Sequence, residues 1–178
     1  MPMQREKKQP QLRVVWEPAK LSVRFALEPF YVIARELPPL FKKHWRELGR
    51  DREHVILEPW WDAYQQLEMM GRLKILTARA EDELVGYIFN IVAPHLHYRS
   101  TLQSTVDMYW LDPRYRSGWT GIRMLRKNDA EMQRMGVART VIAENLMFRG
   151  KHGLRMRVLF KRLGYKPVDV CYRKLYGS

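Results

Sequence analysis

Apolar and polar positions along the chain follow two periods, one of two residues and one near 3.6. Leu21, Val23, Phe25 and Leu27 alternate with smaller or polar neighbours and predict a strand, with a shorter one expected at Arg13 to Trp16. Glu28-Pro29 places a proline where a helix can begin. Tyr31 to Leu48 then reads as one helix broken near Pro38-Pro39, or as two short ones, and Gly49 closes it ahead of a polar loop through His54. Trp60, Tyr64, Leu67 and Met70 form a helical stripe that stops at Gly71. Leu73 to Ala78 and Leu84 to Val92 read as strands, and Glu81-Asp82 between them as a hairpin turn. The stretch PHLHYRSTLQ reads as a loop leading into a strand from Ser104 to Leu111. There Thr105, Asp107, Tyr109 and Leu111 are expected on one side, and Val106, Met108 and Trp110 on the other. Asp112-Pro113 ends that strand, and a basic, glycine-punctuated turn follows. Ile122 to Met135 is then helical through Ile122, Leu125, Met132 and Met135, with Gly136 as its cap. Arg139 to Met147 predicts a strand. Leu154 to Leu163 predicts a helix with Met156, Leu159, Phe160 and Leu163 inward and Gly164 at its end. Tyr165 to Tyr176 closes the chain as a strand or strand pair. Helices, hairpin, strand, helix, strand, helix, strand is the order of an α/β (α+β) fold, a mixed sheet flanked by helices.

A chain of 178 residues suits a single domain with one core. Residues 1–12 are polar, basic and proline-containing and read as a disordered tail, leaving 13–178 as the domain. No apolar run reaches the roughly 18 residues of a membrane span. The opening MPMQREKKQPQ lacks the apolar core of a secretory signal. Cys171 is the only cysteine, so no intrachain disulfide forms, which points to a cytoplasmic setting. The net charge of +13 implies a polyanionic partner or a diffuse positive field. It is clustered: Pro113 to Asn128 holds five basic residues and no acid, and Asn145 to Val168 holds seven and no acid.

Strand, glycine turn and helix start, in the order Ser104 to Gly121, make an anion cradle. Free backbone N–H groups and the helix dipole point at the turn, and arginine adds fixed charge, so a diphosphate is the natural guest. LDPRYRSGWTGIRML resembles the acyl-CoA pyrophosphate loop of the GNAT N-acetyltransferases. Arg116 and Gly121 match the ends of that loop, while Trp119 stands at its middle glycine and Gly118 lies one place early. About forty residues on, FKRLGYKP resembles the family's Tyr-x-x-Leu-Gly-Phe helix end, and the likeness runs from Leu73 to Tyr176. It implies a mostly antiparallel sheet splayed between its fourth and fifth strands, with acetyl-CoA as cosubstrate. The long stretch around DMYWLDPRYR is most similar to acetyltransferase-like proteins that bacteriophages encode. One CoA needs fewer positive charges than the chain carries, which keeps nucleic acid as a candidate partner.

Amide-forming acyl transfer asks a protein to orient the amine, take its proton, polarise the carbonyl and protonate the leaving thiolate. By resemblance, Tyr109 and Leu111 meet the pantetheine arm. Arg116, Ser117, Gly118, Trp119, Thr120 and Gly121 meet the diphosphate, and Asn145 and Phe160 also border the cofactor. Phe160 occupies the place of the family's usual proton-donating tyrosine, and Tyr165 that of a packing phenylalanine. Candidate bases are Asp107, Glu144, His95 and His97. Asp107 in an apolar strand and His97 on a stretch that folds back would form an acid–base dyad. The alternative is that each satisfies a nearby backbone group. His95 and His97 have metal-ligand spacing without a third ligand, so no metal is expected. Trp60, Trp61 and Tyr64 line an acceptor pocket or belong to the core. Trp119 is a core or lid aromatic or a cofactor contact, and Cys171 is expected to be inert packing. Lys42, Lys43 and Arg46 are expected on a solvated helix face. The resulting expectation is an acetyl-CoA-dependent N-acyltransferase acting on an amine. Its alternative is a GNAT-fold protein without catalysis that binds nucleic acid or another protein.

Overall fold

The computed structural model describes residues 22–48, 56–116, 118–144, 151–171, 174 and 176, with side chains from 156 onward in the last helix. The expected strand at Arg13 to Trp16, the tail of residues 1–12, Ser117 and Asn145 lie outside them. Five strands form one sheet in chain order: β1 Val23–Leu27, β2 Leu73–Ala80, β3 Glu83–His95, β4 Tyr98–Leu111 and β5 Arg139–Ile142. The first three pairings are antiparallel and β4–β5 is parallel, joined across one face by α4 Thr120–Arg134. No helix is long and apolar enough to cross a membrane among the described residues.

Each face of the sheet has its own apolar cluster. On one face α1 Phe30–Ile33, α2 Leu37–Leu48 and α3 Trp61–Met69 bury Ile33, Leu37, Phe41 and Tyr64 against Leu73, Tyr87, Phe89 and Trp110. On the other, α4 and α5 Lys151–Arg162 bring Met124, Leu125 and Phe160 onto Leu76, Val85, Val106 and Leu111. Met156, Leu159 and Leu163 pack around that cluster, as their spacing predicts. A buried amide network pins α4 to the sheet. Asn90 Nδ2 donates to Asn128 Oδ1 at 2.8 Å, Asn128 Nδ2 returns a bond at 3.2 Å, and the Ser104 hydroxyl donates to Asn90 Oδ1.

Four expectations change. The helical break falls at residues 34–36, ahead of Pro38-Pro39, which sit in the first turn of α2 where a missing N–H costs nothing. PHLHYRSTLQ is not a loop: β3 and β4 run on through it, and Leu96-His97 alone make the turn. The terminal strand does not form among the described residues. Gly164, at φ +89, turns Tyr165 back onto Phe160, and residues 165–171 stay irregular with Val168, Val170 and Cys171 exposed, so Cys171 is not packed.

The fourth change matters most for the site. Asn90 pairs with Val106 and Phe89 with Met108, so Asp107 is an extra residue bulged from β4. The alternation slips there. Val106 lies with Tyr109 and Leu111 on the α4–α5 face, and Met108 and Trp110 lie on the α1–α3 face. Val106 therefore does not share a side with Met108 and Trp110.

Candidate functional site

β5 follows β4 only from Gln103–Arg139 to Val106–Ile142. Among the described residues, 107–111 of β4 run on past the bulge without β5, which leaves an opening between the two strands there. The β4 edge along this stretch has no partner among the described residues, and it leads to the loop before α4.

That loop is built from its ends. Asp112, 5 % exposed, accepts from the Arg114 N–H at 3.0 Å and caps a short 3-10 turn, Pro113–Tyr115. Burial alone would raise its carboxyl; bonds from Arg114, and then from Lys43, hold it at about 2. Gly118 takes φ +73, a conformation glycine reaches without strain. Trp119, 69 % exposed, precedes α4 without side-chain capping, so it is not a core residue. The first helical bond runs from the Arg123 N–H to the Trp119 carbonyl, which leaves the N–H groups of residues 120–122 without helical acceptors. A Cβ added at Gly121 would meet nothing within 4 Å. A diphosphate fits this cradle by space, by donors and by the helix dipole.

The guanidinium of Arg116, expected at the diphosphate, turns elsewhere. Both Glu47 oxygens on α2 accept from it, one at 2.6 Å, while Arg116 Nε donates to the Leu111 carbonyl at 2.7 Å. Trp110 Nε1 donates to Glu47 at 2.9 Å, and Arg116 lies over the Trp110 ring. Behind them His44 Nδ1 lies 2.8 Å from the Tyr87 hydroxyl. His44 is depressed to about 4, first by burial and then by Arg116. Glu47 and His44 thus tie α2 to the end of β4 and to the loop. Lys42 and Arg46 are exposed, as expected of a solvated face, but Lys43 reaches Asp112 at 3.4 Å.

Protic groups flank the opening on both sides of β4. Asp107 lies near Tyr64 of α3, and burial pushes its carboxyl above the ordinary value. Tyr64 itself is raised to about 12 by burial and then by Asp107. On the other face the Tyr109 ring packs edge-on against Phe160, centroids 6.3 Å apart. Its hydroxyl is raised to about 12 by burial and then by Glu144, which Arg157 holds at 3.1 Å. Tyr165 packs against Phe160 and donates its hydroxyl to Asp129 of α4. The structure does not bring Asp107 and His97 together. His97 sits in the hairpin turn, about 20 Å along the strands from the bulge at roughly 3.3 Å per residue. Its N–H instead donates to His95 Nδ1 at 3.2 Å. Trp61 and Tyr64 pack against the core, while Trp60 is exposed. No group of three or more metal-ligating side chains occurs among the described residues.

Three of the five basic residues between Pro113 and Asn128 pair with carboxylates outside that stretch. Arg114 pairs with Glu83 and Asp112, Arg116 with Glu47, and Lys127 with Glu131.

Comparison with solved structures identifies the fold as that of the GNAT acetyltransferases. An aminoglycoside acetyltransferase, meta-AAC0020, from an uncultured soil metagenomic sample and in complex with sisomicin, superposes with a TM-score of 0.66 at 11 % identity, covering 86 % of this chain and 97 % of that one. A GCN5-related N-acetyltransferase from Ralstonia eutropha JMP134 gives 0.66 at 16 %, over 86 % and 99 %. A predicted acetyltransferase from Clostridium acetobutylicum, solved with acetyl-CoA, gives 0.62 at 12 %, over 86 % and 96 %. No family profile matches the sequence, and no curated protein matches it.

Proposed function

We propose that the protein is an acyl-CoA-dependent N-acyltransferase that moves an acetyl group from acetyl-CoA to a primary amine. One observation carries the reading: among the described residues β4 runs on past the Asp107 bulge without β5, and that edge leads to the N-terminus of α4. That edge supports backbone pairing of a pantetheine arm along Tyr109 and Leu111. The amides of residues 118–121 support the diphosphate, with Trp119 as a lid and Arg116 acting through its grip on Leu111 and Glu47. Acetyl-CoA, when bound, supplies the activated acyl carbon. Asp107 takes the amine proton as the C–N bond forms, and its raised pKa makes it the stronger base. The Tyr109 hydroxyl gives its proton to sulfur as the C–S bond breaks and recovers one from solvent beside Glu144. Phe160, with no proton to give, is the wall against which that ring stands.

Calorimetry should show one acetyl-CoA bound per chain, and an amine panel should then release thiol; absence of binding overturns the reading. Asp107→Asn and Tyr109→Phe should each lower turnover by about 10²-fold with acetyl-CoA affinity unchanged within a factor of three. Full turnover in both variants would remove the two proton-transfer roles while leaving cosubstrate binding in place.

A further inference from the structure

Among the described residues, the sheet face that carries Asp107 is not covered along its whole length. Past α3, Ile91 and Ala93 of β3 pair with Thr105 and Gln103 of β4 to make an open floor. Pro94, His95, Leu96 and His97 of the hairpin tip close its far end, giving a concavity of about 320 Å³. That is the lower end of the range in which proteins hold small molecules. Thr105 lies two residues from Asp107, about 7 Å along the strand, so the floor runs up to the bulged carboxylate.

The lining of this concavity has a one-sided chemistry. Its side chains are apolar, amide, hydroxyl or imidazole, with no carboxylate among the described residues. Arg139 of β5 stands at the rim, its Nε donating to Gln103 Oε1 at 2.6 Å. His95 stacks on Tyr98 with centroids 4.9 Å apart and planes 24° apart, and His97 lies 5.6 Å from His95, so the tip presents flat rings. Desolvation, then Arg139 and His97, draw His95 below its ordinary pKa and keep that ring neutral near pH 7. A polycation entering here would leave its further ammonium groups beside a guanidinium with no counter-charge, losing hydration without a partner. An apolar body would instead bury area against Ile91, Ala93 and Leu96.

Resting on the acyltransferase reading, we infer that this concavity is the acceptor site and selects a single primary amine on an apolar, ring-sized body. The body lies over Ile91 and Ala93, and the amine points along β4 past Thr105 toward Asp107. This differs in kind from the aminoglycoside carried by the metagenomic neighbour of the same fold.

The test uses tryptamine, spermidine and sisomicin at equal concentration with the full chain and saturating acetyl-CoA. Thiol release with tryptamine should exceed that with either polyamine by at least tenfold. Independently of turnover, tryptamine should shift the imidazole NMR signals of His95 and His97, and spermidine should not. Thr105→Glu, at an exposed position, should cut the tryptamine response at least fivefold and raise that to spermidine. Equal or greater response to spermidine or sisomicin overturns the acceptor class, even with acetyl-CoA bound. Tryptamine shifts at His95 and His97 without acetyl-CoA binding would keep the site and remove the acyltransferase reading. Unmoved signals with turnover intact would place the acceptor elsewhere and end the proposal.

Discussion

Burial sets the charge of His44 more firmly than its neighbours do. Glu47 favours the imidazolium, yet desolvation and Arg116 keep the ring neutral down to about pH 4, stacked on Trp110 and bonded to Tyr87. Unfolding frees it to titrate near 6.5. Its stabilisation is therefore complete above that value and is lost as pH falls from 6.5 to 4, up to about 3 kcal/mol. Urea midpoints across that window should fall in the wild type and stay flatter in His44→Phe; parallel curves would mean that other groups set the acid limb. Asn128→Leu, which removes the two amide bonds that Asn128 exchanges with the buried Asn90, should lower stability by about 1–3 kcal/mol in the same assay. Asp107 was legible as a candidate because it is a lone carboxylate among Val106, Met108 and Tyr109. Glu47 was not, since its partner Arg116 lies 69 residues away and α2 read as an ordinary solvated helix.

At the scale of elements, local pattern located α3, α4, α5 and the β2–β3 hairpin, where capping residues and period agree. It misjudged the β3–β4 hairpin because Pro94, two histidines and Arg99 look like loop chemistry, although cross-strand pairing continues through them. It supplied a terminal strand where residues 165–171 are irregular and Val168 and Val170 are exposed. Neither pairing nor cover can be read from one segment alone. Two element contacts carry predictions. Gly86 lets β3 approach the end of β4, where an added Cβ would lie 2.8 Å from the Trp110 carbonyl and 3.1 Å from the Leu111 Cα. Gly86→Ala should cost about 1–3 kcal/mol through backbone displacement and weaken acetyl-CoA binding with it. Arg116→Glu should weaken acetyl-CoA binding at least tenfold by releasing the loop from α2. The exchange Glu47→Arg with Arg116→Glu separates two roles. Recovered binding in calorimetry would make the pair a clasp only, and continued loss would show that the loop needs its own positive charge.

Across the whole molecule, opposite charges from distant segments meet: Arg79 joins Glu28 and Glu36, and Arg157 joins Glu144. The exposed pairs add little stability each, whereas Arg79 and Glu28 are largely buried, and together the pairs fix where the net charge of +13 is unspent. The sheet has an arithmetic of its own. Side chains on a strand obey odd–even parity, and Asp107 is an odd insertion that reverses it near the end of β4. Replacing that residue leaves the count intact, so Asp107→Ala should melt near the wild-type temperature. Removing it changes the count. Either the four following residues invert, sending the Trp110 indole toward α4 and the Tyr109 phenol toward α2, or Val106 and everything before it inverts. Both outcomes place one strand half out of phase with its helices, so the deletion variant should fail to give a cooperative transition in circular dichroism. A strand built this way tolerates a change of identity at its bulge and does not tolerate a change of length there.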